Sequence, residues 1–467
     1  MSAVSDSSHR PLRVAIVGAG PSGFYAAGQL LSAKDLDRPV EVTMLDRLPT
    51  PYGLVRFGVA PDHPKIKSVI RVYAKIALKP GFRFFGNVEV GKDVTHDELT
   101  ARHDAVIYTT GAAHDRRLGI PGEDLPGSHP ATDFVAWYNG HPDAAGHQFD
   151  LSGKRAVVIG NGNVAVDVAR MLALTPDELK VTDTADHAIE ALAASEIEEI
   201  VVLGRRGLAQ AAFTNPELRE LGELEDADII VSPDDVALDP GSKAWLERDG
   251  GDVREQRNVE IATEYSTRTP EGKKRRVVLR FLRSPLRILG EERVEGIELA
   301  VNELVADEDG WLSARPTDQT EVIDCSLVLR SIGYRGSPLD GVPFDDQRAT
   351  INNVGGRVID GDTDETIPGV YTAGWIKRGP SGIIGTNKKC AQETTSMLLE
   401  DAAAGTLPAP TVTEDDLEAL VASRQPEFVD FAGWSKIDAH EQALGEPQGR
   451  PRVKLVDVDE MVKVAKA

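Results

Sequence analysis

The chain alternates short apolar runs with longer mixed stretches, and glycine clusters stand at several of the junctions. Apolar runs at residues 12–17, 40–45 and 105–109 predict strands early in the chain; 155–159, 200–203 and 277–282 predict strands in the middle; 326–332 and 369–372 predict two late ones. Helices are expected at 24–32, near 133–138, from about Val164 onward, and from near Lys388 to about Ala404. Another helix should start at 213–220, with Thr214 or Asn215 as cap and Pro216 in its first turn. Prolines and glycines at 49–65 predict a loop, and residues 122–152 read as a connector. The tail from Glu414 to Ala467 mixes helix signals with turn residues. Strand–turn–helix order at two places predicts an α/β fold with two Rossmann-like dinucleotide-binding domains.

The first such place is Gly18-Ala19-Gly20-Pro21-Ser22-Gly23, directly after the 12–17 strand and before an Ala-rich helix. Glycine removes the Cβ that would keep a phosphate off the turn, and the helix start directs N–H groups at the anion. The next strand ends on Asp46, where a carboxylate that accepts hydrogen bonds from a ribose 2′-OH is expected. The second place is Gly160-Asn161-Gly162-Asn163-Val164 after the 155–159 strand. Its following strand ends on Gly204-Arg205-Arg206-Gly207, and arginines there suit the 2′-phosphate of NADP. Polar and Ala-rich residues 175–199 stretch the usual spacing, so a solvated turn pair is the competing reading of Arg205 and Arg206. A chain with one acid-marked and one arginine-marked socket is most simply a flavoprotein that moves hydride between NADP(H) and FAD.

Composition narrows this further. The 467 residues suggest two or three domains, and the formal charge of −23 argues against general binding to nucleic acid or acidic membranes. No run approaches the ~18 apolar residues of a membrane span, and the short polar N-terminus, residues 1–11, has no apolar h-region. The two cysteines, Cys325 and Cys390, stand far apart and cannot supply a disulfide framework, a metal or iron–sulfur site, or a redox dithiol. A reduced, cytoplasmic, soluble protein is expected.

Gly374-Trp375, with Gly379, Gly382-Ile383-Ile384-Gly385 and Thr386, precedes the late helix. Such a segment can present backbone amides to a planar or anionic ligand. Lys273, Lys274, Arg275, Arg276, Arg280, Arg283 and Arg287 reverse the sign of the chain locally. They read either as charges guarding a sheet edge or as a docking patch. His63 on its own reads as a loop histidine, and Glu217 and Glu220 as favourable charges near a helix start.

IVGAGPSG, PTPYGLVRFGVAPDHPKIK, GNGNVAVDVAR, VVLGRRG, AAFTNPELRE, YTAGWIKRGPSGIIGTNK and EPQGRPRVKL occur in this order along nearly the whole chain. Together they resemble the adrenodoxin-reductase-type ferredoxin–NADP reductases, bacterial members especially. The resemblance implies an NADP-binding domain, residues 114–330, inserted into a discontinuous FAD-binding domain, residues 1–113 and 331–467. It implies FAD contacts at Ser22, Asp46, Leu54, Val90, Trp375 and Gly382 to Ile384. It implies NADP contacts at Asn161 to Val164, Arg116, Arg205, Arg206, Glu217 and Gly382. His63 and Glu220 match a pair near flavin and nicotinamide, and a ferredoxin is the implied one-electron partner, which could meet the basic patch. A disulfide reductase would need a cysteine pair that is absent. A flavin monooxygenase or diaphorase, or a flavin-binding redox sensor, remains the alternative.

Overall fold

The computed structural model of the chain describes residues 10–34, 36–248, 250–412 and 416–467. The expected polar N-terminus falls mainly on residues 1–9, and the first residues of the tail on 413–415; these lie outside the described residues. The chain divides into two compact units, Met1–His114 with Tyr334–Ala467, and Asp115–Gly333.

The first unit holds a seven-stranded sheet in the order Asn353–Val354, Arg357–Ile359, Thr366–Thr372, Ala105–Tyr108, Leu12–Val17, Val40–Leu45, Phe82–Phe85. The last five of these run parallel. Leu12–Val17 is apolar almost without a break because both faces of the sheet are covered. Leu12, Val14 and Ile16 enter one core with Phe24, Leu30 and Leu398, whereas Ala15 and Val17 enter another with Leu99 and Leu417. Val17 pairs with Leu45 on one side and Tyr108 on the other. The strand that follows in sequence and a later one therefore flank it, which opens a crevice at its carboxyl end.

The second unit repeats the device. Its parallel sheet runs Ser128–Pro130, Leu327–Arg330, Arg155–Ile159, Glu199–Leu203, Arg275–Arg280, Ala227–Val231. Beside it stands an antiparallel sheet of Arg283–Leu289, Gly296–Ala306 and Leu312–Asp324, which the hydrophobic pattern did not announce. Its outer strand is mostly exposed and polar, so it lacks the apolar run that marks a buried strand.

Several boundaries shift. The helix expected at 24–32 spans Pro21–Leu30, because Pro21 needs no N–H partner in a first turn. Residues 49–65 are not only loop: Leu54–Phe57 and Pro64–Lys67 are short helices. The connector contributes the strand Ser128–Pro130 and a helix Ala131–Tyr138. The late helix starts at Ile384, not near Lys388. Arg275–Arg280 is paired on both sides, so the sheet-edge reading of the basic stretch is corrected there, whereas Arg283 and Arg287 lie on Arg283–Leu289, an edge strand of the antiparallel sheet. Among the described residues no helix is long and apolar enough to cross a membrane.

Candidate functional sites

In the first unit three glycine-bearing segments meet at the carboxyl end of Leu12–Val17. Gly18 has φ +101°, and a Cβ there would lie 2.7 Å from Thr109 O, so only glycine fits without strain. Gly23 would clash with Gly18 O, which keeps the helix start tight against the turn. Gly20 differs: no atom lies within 4 Å of where its Cβ would be, so the turn faces open space there. A Cβ on Gly53 would approach Gly20 Cα to 3.1 Å, and Tyr52 N donates to Ala19 O at 2.8 Å. Gly374, φ +82°, packs on the side chain of the buried Ser22.

Asp46 stands at the end of Val40–Leu45 and ties this turn together. Its carboxylate accepts from Ala19 N at 2.8 Å and from Leu48 N at 3.0 Å. Burial pushes its pKa up, while those two N–H groups and Arg47 pull the other way. Each oxygen keeps acceptor capacity for a ligand hydroxyl. Leu54 opens its short helix, and Val90 bridges to Val94 at the rim of the second core. His63 caps Pro64–Lys67 by position and is half-buried.

The Gly374 segment forms the short helix Trp375–Arg378, whose indole Nε1 donates to Ser381 O at 3.2 Å. Tyr334 lies 5.3 Å from the Trp375 ring. Gly382 takes φ +77°, and Thr386 Oγ1 accepts from Ile383 N at 3.3 Å. Ile383 is 65% exposed and Gly385 meets nothing within 4 Å, so an apolar side chain and an open backbone stand uncovered at the start of Ile384–Ala404.

In the second unit Gly160 has φ +127° and is pressed against Ser331 O, while Gly162, at the helix cap, meets nothing within 4 Å. Open space at Gly20 and Gly162, beside glycines that are sterically forced, is what phosphate cradles require. Asn163 Oδ1 accepts from Thr214 N at 2.8 Å, and Asn161 O accepts from Ala212 N and Phe213 N. These bonds seat the 213–220 segment on the glycine turn. Val164 is the second residue of Asn163–Ala173, and Glu217 sits in the first turn of Asn215–Leu221. Glu220 pairs with the buried Arg170 at 3.1 Å.

The stretched spacing before Arg205 leaves the strand pairing intact. Residues 175–199 form the helices Pro176–Lys180 and Asp186–Ala193, and Glu199–Leu203 still pairs with Arg155–Ile159, Leu203 opposite Ile159. Gly204–Gly207 therefore lies beside Gly160 on the same sheet edge. Arg205 is exposed and Arg206 half-buried, and neither forms an ion pair among the described residues. Desolvation, then the neighbouring Arg205 charge, lowers the Arg206 pKa. Glu255 acts on Arg206 in the opposite sense but forms no ion pair with it, so the two neighbouring guanidinium charges favour a bound anion. Arg116 is exposed, with its N–H on Gly333 O at 3.0 Å.

The profile of the pyridine nucleotide-disulphide oxidoreductases matches residues 12–203. NADPH-ferredoxin reductase FprA of Mycobacterium tuberculosis is 50% identical, covering 97% of this chain and 99% of that protein. The mitochondrial NADPH:adrenodoxin oxidoreductase of Arabidopsis thaliana is 40% identical over 99% of this chain and 97% of its own. The structure of M. tuberculosis FprA in complex with NADPH has a TM-score of 0.92 at 49% identity, covering 98% of this chain and 100% of that one. The chain belongs to the adrenodoxin-reductase-type ferredoxin–NADP reductases. The disulphide chemistry of the pyridine nucleotide-disulphide oxidoreductases has no counterpart in this chain, since Cys325 and Cys390 are both free and buried.

The basic stretch of this reductase is not an uncompensated cationic face. Arg276 pairs with Glu199, Arg280 and Arg283 with Glu321 at 3.2 and 2.8 Å, and Arg287 with Glu298 at 2.6 Å. Arg275 is buried and donates to Ile197 O. Only the remote acids, brought in by folding, reveal this. A cavity of about 1180 Å³ in the same unit is lined by Arg155, Glu199 and Arg275, the first residues of three parallel strands. It lies at the sheet edge opposite the glycine turn, where dinucleotides do not bind. Sequence reasoning missed Asn302, whose Nδ2 donates to Arg205 O at 2.7 Å, and Trp311, which lies under Arg206. The only signal available for Trp311 was an indole placed within a polar Asp-Glu-Asp-Gly turn.

Proposed function

We propose that this chain is an NADPH-dependent ferredoxin reductase whose discontinuous unit holds FAD and whose inserted unit holds NADP(H). The observation that carries this reading is the pair of open glycine cradles, one tied to Asp46 and the other beside Arg205 and Arg206. The identity to NADPH-ferredoxin reductases over almost the full chain supports the same activity and the same class of partner. FAD held there would supply hydride acceptance from nicotinamide and return of electrons one at a time, chemistry that suits a one-electron acceptor.

The residues of the chain would bind, orient and exclude water. Gly18, Gly20 and Gly23 would admit the pyrophosphate to the Pro21–Leu30 helix start, and Asp46 would accept from the ribose. Ser22, Leu54, Val90, Gly374, Trp375, Gly382, Ile383, Ile384 and Thr386 would close around the remainder. Gly160, Asn161, Gly162, Asn163 and Val164 would hold the second pyrophosphate. Arg205, Arg206 and Arg116 would meet phosphate charge, with Glu217 on the adjoining helix. His63 and Glu220 would orient the nicotinamide and flavin, and hydride transfer needs such positioning more than acid–base work. The two buried thiols, unpaired with each other, agree with a reducing cytoplasm.

Anaerobic flavin absorbance tests the reading. NADPH should bleach it quickly, NADH slowly, and ferredoxin should restore it. Recovery with oxygen or an organic substrate but never with ferredoxin would transfer the assignment to a diaphorase or monooxygenase. Replacement of His63 or Glu220 should slow bleaching without abolishing it; complete loss with flavin still bound would contradict the orienting role.

A further inference from the structure

We propose that the hairpin formed by Gly296–Ala306 and Leu312–Asp324 is a cofactor-specificity element, in which Trp311 positions Arg206 for the 2′-phosphate of NADP(H). The inference rests on the reading of Arg205 and Arg206 as the phosphate-binding pair.

The Gly204–Gly207 turn is held by this antiparallel sheet as well as by its own strand. Asn302 is 4% exposed, and its Nδ2 donates to both Arg205 O and Ser284 Oγ at 2.7 Å. Leu282 N donates to Arg206 O at 3.1 Å. The backbone beneath the guanidinium groups is therefore fixed at Arg205 by the hairpin and at Arg206 by the turn that leads into Arg283–Leu289. At the hairpin tip Asp307 Oδ1 accepts from Trp311 N at 2.8 Å, and Asp307 N donates to Trp311 O at 3.0 Å. This turn holds the indole under Arg206, whose guanidinium carbon lies 5.2 Å from the ring centroid.

The shelf is itself braced. Trp245 meets Trp311 edge-on, centroids 5.2 Å apart at 79°, and Trp245 Nε1 donates to Glu255 Oε2 at 3.1 Å. Arg248 covers Trp245 at 3.8 Å. Trp311 remains 51% exposed, which core packing does not explain. In a unit where Arg276, Arg280, Arg283 and Arg287 are all matched to carboxylates, Arg206 is matched to an aromatic face instead. A cation–π contact orders the guanidinium without neutralising it, so its charge stays available to a phosphate. Ordering before binding lowers the rotamer cost that the cofactor would otherwise meet.

The test compares NADPH and NADH on the FAD-loaded enzyme with Trp311→Ala, Trp311→Phe, Arg206→Ala and the Arg206→Ala/Trp311→Ala double variant. Trp311→Ala should raise KM for NADPH about two- to fivefold at unchanged kcat, with smaller effect on NADH, and Trp311→Phe should restore most of it. The double variant should lose no more discrimination than Arg206→Ala, because the two act through one contact. The indole emission removed by Trp311→Phe should respond to NADP+ and not to NAD+. Equal losses with both cofactors, or additive losses in the double variant, would overturn the proposal while leaving Arg206 as the phosphate reader. If Arg206→Ala itself leaves the NADPH/NADH ratio intact, the underlying reading falls, and the proposal with it.

Discussion

Glu441 lies in the tail and is fully buried, so its replacement by glutamine tests how the tail secures the discontinuous unit. Its carboxylate takes paired hydrogen bonds from Arg56, one at 2.8 Å, and further bonds from Arg452 at 3.2 Å and Leu455 N at 2.9 Å. Arg56 is also buried, against the rings of Phe57 and Trp434 at 5.0 and 5.3 Å. Glu441→Gln keeps the shape and removes the charge, which leaves the buried Arg56 without a carboxylate and Arg452 with Asp438 alone. Breaking a buried pair in this way costs about 3–5 kcal/mol. For a unit of this size each kcal/mol moves Tm by about 2–4 °C, so Tm should fall by roughly 6–20 °C. Thermal melts followed by circular dichroism and by release of flavin fluorescence measure it. Because Arg56 belongs to Leu54–Phe57, flavin should leave as that unit melts.

The pH dependence follows from the same contacts. Burial pushes the Glu441 carboxyl up, but Arg56, Arg452 and the Leu455 N–H outweigh it and hold the group below the usual glutamate range. Such a group contributes fully above its unfolded pKa of about 4.3 and loses its contribution as pH falls through the folded value. The two proteins should therefore differ by a constant amount between pH 5 and 8 and converge only in stronger acid. An Arg56→Met/Glu441→Leu pair should recover much of the loss, since apolar replacement of both partners avoids an unpaired charge. A Tm change under about 2 °C for Glu441→Gln would refute the argument.

Glycine positions separate folding from binding. Gly160→Ala, at φ +127° against Ser331 O, should destabilise the second unit, whereas Gly162→Ala should leave Tm nearly unchanged yet weaken NADP+ binding measured by titration. Burial pushes the Cys325 thiol up to about 12, so a thiol reagent at pH 8 should find about one Cys325 thiolate in 10⁴, and the buried placement of Cys390 should keep it from reagent as well until the protein is unfolded. Rapid labelling of native protein would contradict the buried placement. Replacing Arg283 by Gln should lower stability, since it leaves Glu321 with Arg280 alone, and should leave the salt dependence of ferredoxin reduction unchanged. A lost salt dependence would return the basic stretch to the docking role.

Both glycine turns were legible in the sequence because their requirements are local. A turn that a phosphate can approach needs glycines at set offsets, and the strand before it and the helix after it leave their own hydrophobic periods. The acid at Asp46 and the arginines at 205 and 206 follow from strand ends, and the same ends bring them beside Gly20 and Gly160. Leu12–Val17 could be placed to the residue because a strand buried on both faces is apolar throughout.

What tertiary structure alone decided is who pairs with whom. Nothing local says that Arg275–Arg280 lies inside a sheet, nor that Glu199, Glu298 and Glu321 neutralise its arginines and those that follow. The exposed antiparallel hairpin hid because half of it packs on nothing apolar, and with it hid Asn302 and Trp311. Glu441 is one of several polar residues on Phe431–Gly445, and only folding sets it between two arginines. Backbone chemistry is encoded by neighbours in the chain, whereas charge compensation is encoded by residues that only the completed fold brings together.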